Sequence, residues 1–235
     1  MHILITGGAG FVGSELAVRL TEKNHRVVVM DNLVRRGSES NLDRLARHGV
    51  TFVHGDVRNA EDVENLPSGV EFLIDVSAQP SVVSGYTNPI FDITNNSLGV
   101  IHVLESARRY RCPMIFFSTN RVYVVDRLLE LPRREAATRF EWDPSAWNRL
   151  PGEARPRGFD PLHGVSEEFA VDGGQRTVYG LSKLIADVSC QEYAHASTCR
   201  WSSTASELSP APVSLPSSIR DGWFGGQSRT ISSCR

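Results

Sequence analysis

The chain reads as an α/β protein built on a doubly wound parallel sheet. Three observations predict this. The opening residues run in the order apolar strand, glycine turn, amphipathic helix. Short apolar runs then alternate with helical stretches as far as residue 117, the spacing of strand–helix–strand units. Residues capable of chemistry gather just after the apolar runs, where ligands of such sheets lie.

The first strand is Ile3-Leu4-Ile5, an uncharged run suited to burial on both faces. Glycines follow at Gly7, Gly10 and Gly13, and a helix runs on to Lys23 with Phe11, Val12, Leu16 and Leu20 expected inward. In this order one glycine makes the tight turn, one admits a pyrophosphate to the backbone, and one packs helix on strand. Unpaired N–H groups and the helix dipole then face the phosphates. A dinucleotide is the expected ligand, and the sheet is Rossmann-type. A second strand from Arg26 to Met30 ends at Asp31. A carboxylate there accepts hydrogen bonds from both adenosine ribose hydroxyls and repels a 2′-phosphate, which favours NAD over NADP. Arg35 and Arg36, close behind, soften that preference.

A helix with Leu42, Leu45 and Ala46 on one face comes next. The third strand, Val50 to His54, leads into Gly55-Asp56-Val57-Arg58. Phe72-Leu73-Ile74 is the fourth strand, followed by Asp75-Val-Ser-Ala-Gln-Pro80. A long helix is expected from about Asn88 to Tyr110, carrying Asn96, Val100, Val103, Leu104 and Ala107, and Met114 to Phe117 is the fifth strand. The strand ends thus hold Gly7, Asp31, Asp56, Ala78 and Ser118-Thr119.

From Val124 to Gln175 the pattern breaks into an Arg- and Pro-rich stretch with Trp142 and Trp147. So long a run without a period is expected to be an insertion, a partly ordered flap above the site. A helix resumes near Tyr179 and runs to about Ala194, with Leu181, Leu184, Ile185 and Val188 packing. Residues 195–235 are Ser-, Arg- and Pro-rich, the composition of a linker or a disordered tail. The expected organisation is an NAD-binding domain over residues 1–194, with 124–175 inserted, and an atypical tail over 195–235.

Bulk properties exclude several classes. The chain has 235 residues, 40% hydrophobic and 22% charged, which is enough apolar material for a sizeable core. Its net charge of −2 gives no electrostatic case for nucleic acid or an anionic membrane. No apolar run approaches the roughly 20 residues of a membrane span. Cys112, Cys190, Cys199 and Cys234 show neither metal-ligand spacing nor the density of a disulfide framework. Reduced thiols in a cytoplasm are expected.

Five motifs now stand in order: Gly7-Gly-Ala-Gly-Phe-Val-Gly13, Asp31-Asn-Leu33, Gly55-Asp-Val-Arg58, Ser118-Thr-Asn-Arg-Val-Tyr123 and Tyr179-Gly-Leu-Ser-Lys183. Together they resemble the extended short-chain dehydrogenase/reductase superfamily, and within it the NAD-dependent nucleotide-sugar epimerase/dehydratase family. Ser118 to Tyr123, with Gly164-Val-Ser-Glu-Glu168 ahead of Tyr179, is most similar to the CDP-paratose 2-epimerase (CDP-tyvelose epimerase) branch. The resemblance runs from residue 1 to about residue 194. It implies cofactor-binding roles for Gly7, Gly10, Phe11, Val12, Gly13, Asp31, Asn32, Asp56, Val57, Ala78, Asn96, Tyr179 and Lys183. Asp56 and Val57 would hold adenine, and Asn96 would steady the backbone of the site. It also implies a nucleotide-sugar substrate and pairing into a homodimer through the long helix and the Tyr-Lys helix.

The chemistry accounts for the spacing. Tyr179 and Lys183 are i and i+4 and share one helix face. A phenol titrates near pH 10, and a neighbouring ammonium together with the nicotinamide charge favours the phenolate, so Tyr179 is the expected base. Thr119 would hydrogen-bond the same substrate oxygen. Dehydratases of the family place an Asp-Glu pair where this chain has Asn120 and Arg121, which cannot transfer protons at neutral pH. The implied reaction is therefore epimerisation: transient oxidation of a sugar hydroxyl and hydride return, at C2 of a CDP-sugar if the branch holds. A dehydratase or reductase of the same superfamily, and an inactive NAD-binding module, are the alternatives.

The chain departs from the family pattern at Val124, where a glycine is usual, and at Asp75, where many members have histidine. The larger departure is the tail, which lacks the apolar sixth strand and the substrate-binding C-terminal region the family needs. A reading-frame change is one expected cause. Trp201-Ser-Ser-Thr204 can be encoded tgg-tcg-tcg-acc, and a one-base shift gives gtg-gtc-gtc-gac, or Val-Val-Val-Asp.

Overall fold

The computed structural model describes residues 1–196 and, for the backbone alone, residues 201–203. Every residue of β1 (His2–Thr6) is buried, as its apolar run requires. The chain then alternates through α1 (Phe11–Glu22), β2 (Arg26–Asp31), α2 (Leu42–Arg47), β3 (Thr51–His54), α3 (Ala60–Glu64) and β4 (Phe72–Asp75). Two short helices follow, α4 (Val82–Thr87) and α5 (Pro89–Ile93). A wide π turn at Thr94–Leu98 leads into α6 (Gly99–Tyr110) and then β5 (Met114–Phe116). The long helix expected from about Asn88 is thus present as α5, the π turn and α6 in succession. Its expected inward residues Asn96, Val100, Val103, Leu104 and Ala107 are all buried.

The insertion is more ordered than a flap. It contains α7 (Val125–Glu130), a hairpin of β6 (Arg133–Glu135) and β7 (Phe140–Trp142), α8 (Pro144–Arg149), and a smaller hairpin of β8 (Phe159–Asp160) and β9 (Gly164–Val165). Tyr123, Leu131, Trp147, Phe159 and Phe169 give it a core of its own. Phe159 meets Trp142 and Trp147 edge to face at 4.9 and 5.1 Å. Its neck is closed by the Val125 N–H donating to the Gln175 carbonyl at 2.9 Å. The aromatic residues that looked aperiodic are what pack it.

The chain returns through α9 (Val178–Ala196) to β10 (Trp201–Ser203). The sheet order is β10-β5-β4-β1-β2-β3, with every pairing parallel. This is the doubly wound Rossmann arrangement. One core packs α6 and α9 on the face of Leu4, Val28, Leu73 and Phe116; the other packs α1 and α2 on the face of Ile3, Ile5, Val29 and Ile74.

Three expectations are corrected. Phe11 and Val12 do not face inward: Phe11 is 91% exposed and Val12 is also exposed, because they open α1 at the mouth of the sheet. On α9 the residues expected to pack, Leu181, Ile185 and Val188, are exposed, while Tyr179, Ser182, Lys183, Ala186, Asp187 and Cys190 are buried. Leu184 is half-buried. The tail is not without structure at its start, since α9 continues to Ala196 and Trp201–Ser203 pairs with Met114–Phe116 as a sixth strand. Backbone pairing needs no apolar period. The remainder of the expected tail lies outside the described residues.

Candidate active site

The glycine turn forms where β1 ends. Gly7 has φ +71°, and a Cβ there would lie 2.7 Å from the Ser77 backbone, so only glycine fits between β1 and the segment after β4. Gly10 caps α1 without a side-chain hydrogen bond, and Gly13 is buried within α1. The first N–H groups of α1 therefore face outward at the carboxyl end of the sheet, flanked by exposed Phe11 and Val12.

Asp31, at the end of β2, is tied to this turn. Its Oδ2 accepts from the Ala9 N–H at 3.1 Å and its Oδ1 from the Leu33 N–H at 2.9 Å. Each oxygen keeps a further lone pair for a ligand hydroxyl. Asn32 donates to Asp56 Oδ2 at 3.0 Å, joining the ends of β2 and β3. Asp56 is gripped by Arg58, whose Nη2 lies 2.5 Å from Oδ2, and that guanidinium holds the Asp56 carboxyl down at about 2. Arg58 also lies over the Phe91 ring, 4.8 Å from its centroid. Asp56, Arg58, Asn59, Asp62, Thr94 and Leu98 line an open cleft. Val57 is buried, and its carbonyl is hydrogen-bonded by His102 at 2.8 Å.

The segment after β4 is organised by amides and a buried acid. Asn96, wholly buried in the π turn, accepts from the Gln79 N–H at 2.8 Å; it donates to the Gln79 carbonyl at 3.1 Å and to Ser182 Oγ at 3.0 Å. It thus clamps the backbone beside half-buried Ala78 to α9. The Gln79 side chain bonds both the N–H and the carbonyl of Ser81 and donates to Asp92 Oδ1. Asp92 is buried, which pushes its carboxyl above the ordinary range. Gln79, Asp92 and Ser182 carry no sequence signal of this role; they meet only because the loop after β4 folds against the long helix.

Tyr179 and Thr119 are brought together. Thr119 follows β5 and caps the short 3-10 turn Asn120–Val122, accepting from the Arg121 N–H at 3.3 Å. Its hydroxyl lies close enough to the Tyr179 phenol to ease that group's ionisation. Gly180 makes this contact sterically possible, because a Cβ there would sit 2.2 Å from the Arg121 carbonyl oxygen. Tyr179 is 8% exposed. Its phenol is raised, not lowered: burial dominates, with Asp92 adding to it, and the Thr119 hydrogen bond and the Arg121 charge oppose. The expected help from Lys183 is absent for a geometric reason. The Lys183 side chain turns inward, donates to the Phe117 carbonyl at 2.6 Å, and rests 4.0 Å above the Phe116 ring. Burial brings its ammonium down to about 8.

The glycine turn, Asp31, the Asn96 clamp and the Thr119–Tyr179 pair all lie at carboxyl ends of β-strands or in segments tied to them. A family model described as the NAD dependent epimerase/dehydratase family matches residues 3–145. The chain is 33% identical over 199 residues to CDP-paratose 2-epimerase of Salmonella typhi, a match covering 83% of this chain and 53% of that one. It is 34% identical over 127 residues to dTDP-D-glucose 4,6-dehydratase of Dictyostelium discoideum, covering 52% and 29%. Among solved structures it is similar to UDP-glucose 4-epimerase of Thermus thermophilus in complex with NAD. There the identity is 25% and the TM-score 0.56, over 87% of this chain and 54% of that one. The chain spans about half the length of the curated relatives it matches. The chain belongs to the NAD-dependent epimerase/dehydratase family.

Proposed function

We propose that this protein binds NAD at the glycine turn and epimerises a nucleotide-sugar by transient oxidation, with C2 of a CDP-sugar as the first candidate. The reading rests on the juxtaposition of Thr119 and Tyr179 beside the carboxyl end of β5, two strands from the glycine turn. The residues present suit the cofactor. Gly7 leaves room where any side chain would strike Ser77, and the uncapped start of α1 offers N–H groups to a pyrophosphate. Asp31 keeps lone pairs for ribose hydroxyls. Asp56 and Val57 would flank the adenine, and Ala78, held by the Asn96 clamp, would line the nicotinamide side. When bound, NAD supplies a reversible two-electron acceptor.

The side chains then have distinct tasks. Tyr179 Oη takes the proton from the sugar hydroxyl and later returns it. The Thr119 hydroxyl orients the same oxygen and stabilises charge that develops on it. Lys183, whose ammonium donates to the Phe117 carbonyl, keeps further N–H groups for a cofactor hydroxyl. Asn120 and Arg121 offer no acid–base pair for eliminating water, which supports epimerisation over dehydration. The exposed stripe of Leu181, Ile185 and Val188 on α9 fits a homodimer. The buried Cys112 and Cys190, neither in a disulfide, fit a cytoplasmic setting, and no described helix is long and apolar enough to cross a membrane.

The test is to incubate the full chain and NAD with CDP-, GDP- and UDP-sugars and follow inversion at C2 and C4 by NMR, with NAD binding measured separately. Inversion of a CDP-sugar at C2 is expected. Bound NAD with no inversion of any sugar would replace this reading with that of a binding module. Failure to bind NAD would remove both.

A further inference from the structure

Asp75 ends β4 with its side chain completely buried. Its Oδ1 accepts three hydrogen bonds, from Thr6 Oγ1 at 2.6 Å, Ser77 Oγ at 2.6 Å and the Ser77 N–H at 3.0 Å. Its Oδ2 is buried and has no hydrogen-bond partner. A buried carboxyl oxygen without a hydrogen-bond partner costs free energy that a nearby positive charge offsets. Asp75 alternates with Ile74 and so shares with Leu73 the sheet face that packs against α6 and α9. Its register partner on β5 is Phe116, the residue whose ring carries the Lys183 ammonium. The next residue, Phe117, gives its N–H to the Asp75 carbonyl at 3.1 Å and its carbonyl to Lys183 Nζ. A buried carboxyl group and a buried ammonium thus both adjoin Phe116, one through strand pairing and one over its ring.

The groups that face the ammonium come from three elements. Asp75 approaches from β4, the Phe116 ring and Phe117 carbonyl from β5, and Asp187 and Cys190 from α9 itself. Of the neighbouring acids, Asp92 on α5 bears on Tyr179, and Glu105 on α6 is taken by Arg108 and Tyr193. Burial is the chief influence on Lys183, and Asp75 is the strongest of the groups that oppose it, ahead of Cys190 and Asp187. We propose that Asp75 is a positioning residue, whose buried carboxylate keeps the Lys183 ammonium charged and seated on the Phe117 carbonyl. The proposal rests on the reading of Lys183 given above. It adds a reason why an acid can stand at a position where an apolar or neutral residue would leave a buried lysine free to lose its proton.

The chain has two lysines, Lys23 and Lys183, so lysine labelled with 13C at Cε gives two resonances, with exposed Lys23 as the internal reference. In D75N the amide keeps an acceptor for Thr6 and Ser77 but removes the charge. The Lys183 midpoint should fall by about one pH unit or more, with Lys23 unmoved. T6V removes a hydrogen bond from the same oxygen without removing charge, and should leave the midpoint in place. An unmoved Lys183 in D75N, or a larger fall in D187N than in D75N, overturns the proposal. Should D75N not fold, D187N chain labelled at aspartate Cγ provides the second measurement. One carboxyl resonance that follows the Lys183 midpoint supports the proposal, and none that does so overturns it. Titrating NAD into the wild-type chain reports on the cofactor reading alone, because its failure leaves the lysine titration unchanged.

Discussion

Tyr179 is a phenol that burial makes less acidic, beside a hydroxyl and a guanidinium that pull the other way. The proton transfer proposed for it predicts that Y179F keeps its fold and NAD binding while turnover falls by about 10²–10⁴-fold, read from initial rates and a melting curve. Asp56 allows a prediction about stability. Its carboxyl sits near 2 in the folded chain against an ordinary 3.8, chiefly through Arg58. A depressed carboxylate stabilises the fold above its unfolded value and loses that contribution as pH falls through the folded one. With the pair partly exposed, R58M should cost about 1 kcal/mol in urea unfolding at pH 7. The difference from wild type should shrink as pH is lowered from about 4 toward 2. Of these residues, Tyr179, Thr119 and Asp56 were legible from motifs. The inward turn of Lys183 was not, because spacing fixes a shared helix face and leaves four side-chain torsions open.

At the scale of elements, α9 carries two faces with opposite logic. Its buried face presents Tyr179, Ser182, Lys183 and Asp187, and its apolar stripe of Leu181, Ile185 and Val188 lies outside. Periodicity identified residues that lie together but assigned the stripe to the core, since an apolar stripe usually belongs there. If the stripe pairs two copies, I185E should convert a dimer to a monomer in sedimentation, with the melting point of the monomer little changed. Gly180 controls the other face. G180A would force a methyl group against the Arg121 carbonyl, and should cost about 1–3 kcal/mol in stability. It should also lower kcat more than the stability loss explains, because Thr119 and Tyr179 would be parted. The strands were the most legible elements, for burial on both faces demands an unbroken apolar run.

For the whole molecule, NAD binding at the glycine turn, as proposed, would link folding to cofactor. A ligand that binds only the folded chain stabilises it by about 2.7 kcal/mol at a hundred times its Kd. NAD should therefore raise the melting temperature by several degrees, and NADP by much less, because Asp31 opposes a 2′-phosphate. An equal rise with both would show that Arg35 and Arg36 outweigh Asp31. The parallel sheet followed from the alternation of elements, whereas β10 and the core of the insertion did not. β10 is a matter of backbone pairing, and the aromatic residues of the insertion are close in space yet far apart in sequence.

The hydrogen bond between Val125 and Gln175 has a consequence for how such a chain can change over time. Thr119 and Tyr179 stand outside that junction on either side, and everything between its two ends returns to within one bond of where it departed. The excursion can be lengthened, shortened or replaced without altering the distance between Thr119 and Tyr179. A variant in which residues 126–174 give way to a tight turn should still fold its parallel sheet and take up NAD. The insertion is thus free to diversify while the parallel sheet and the glycine turn stay where they are.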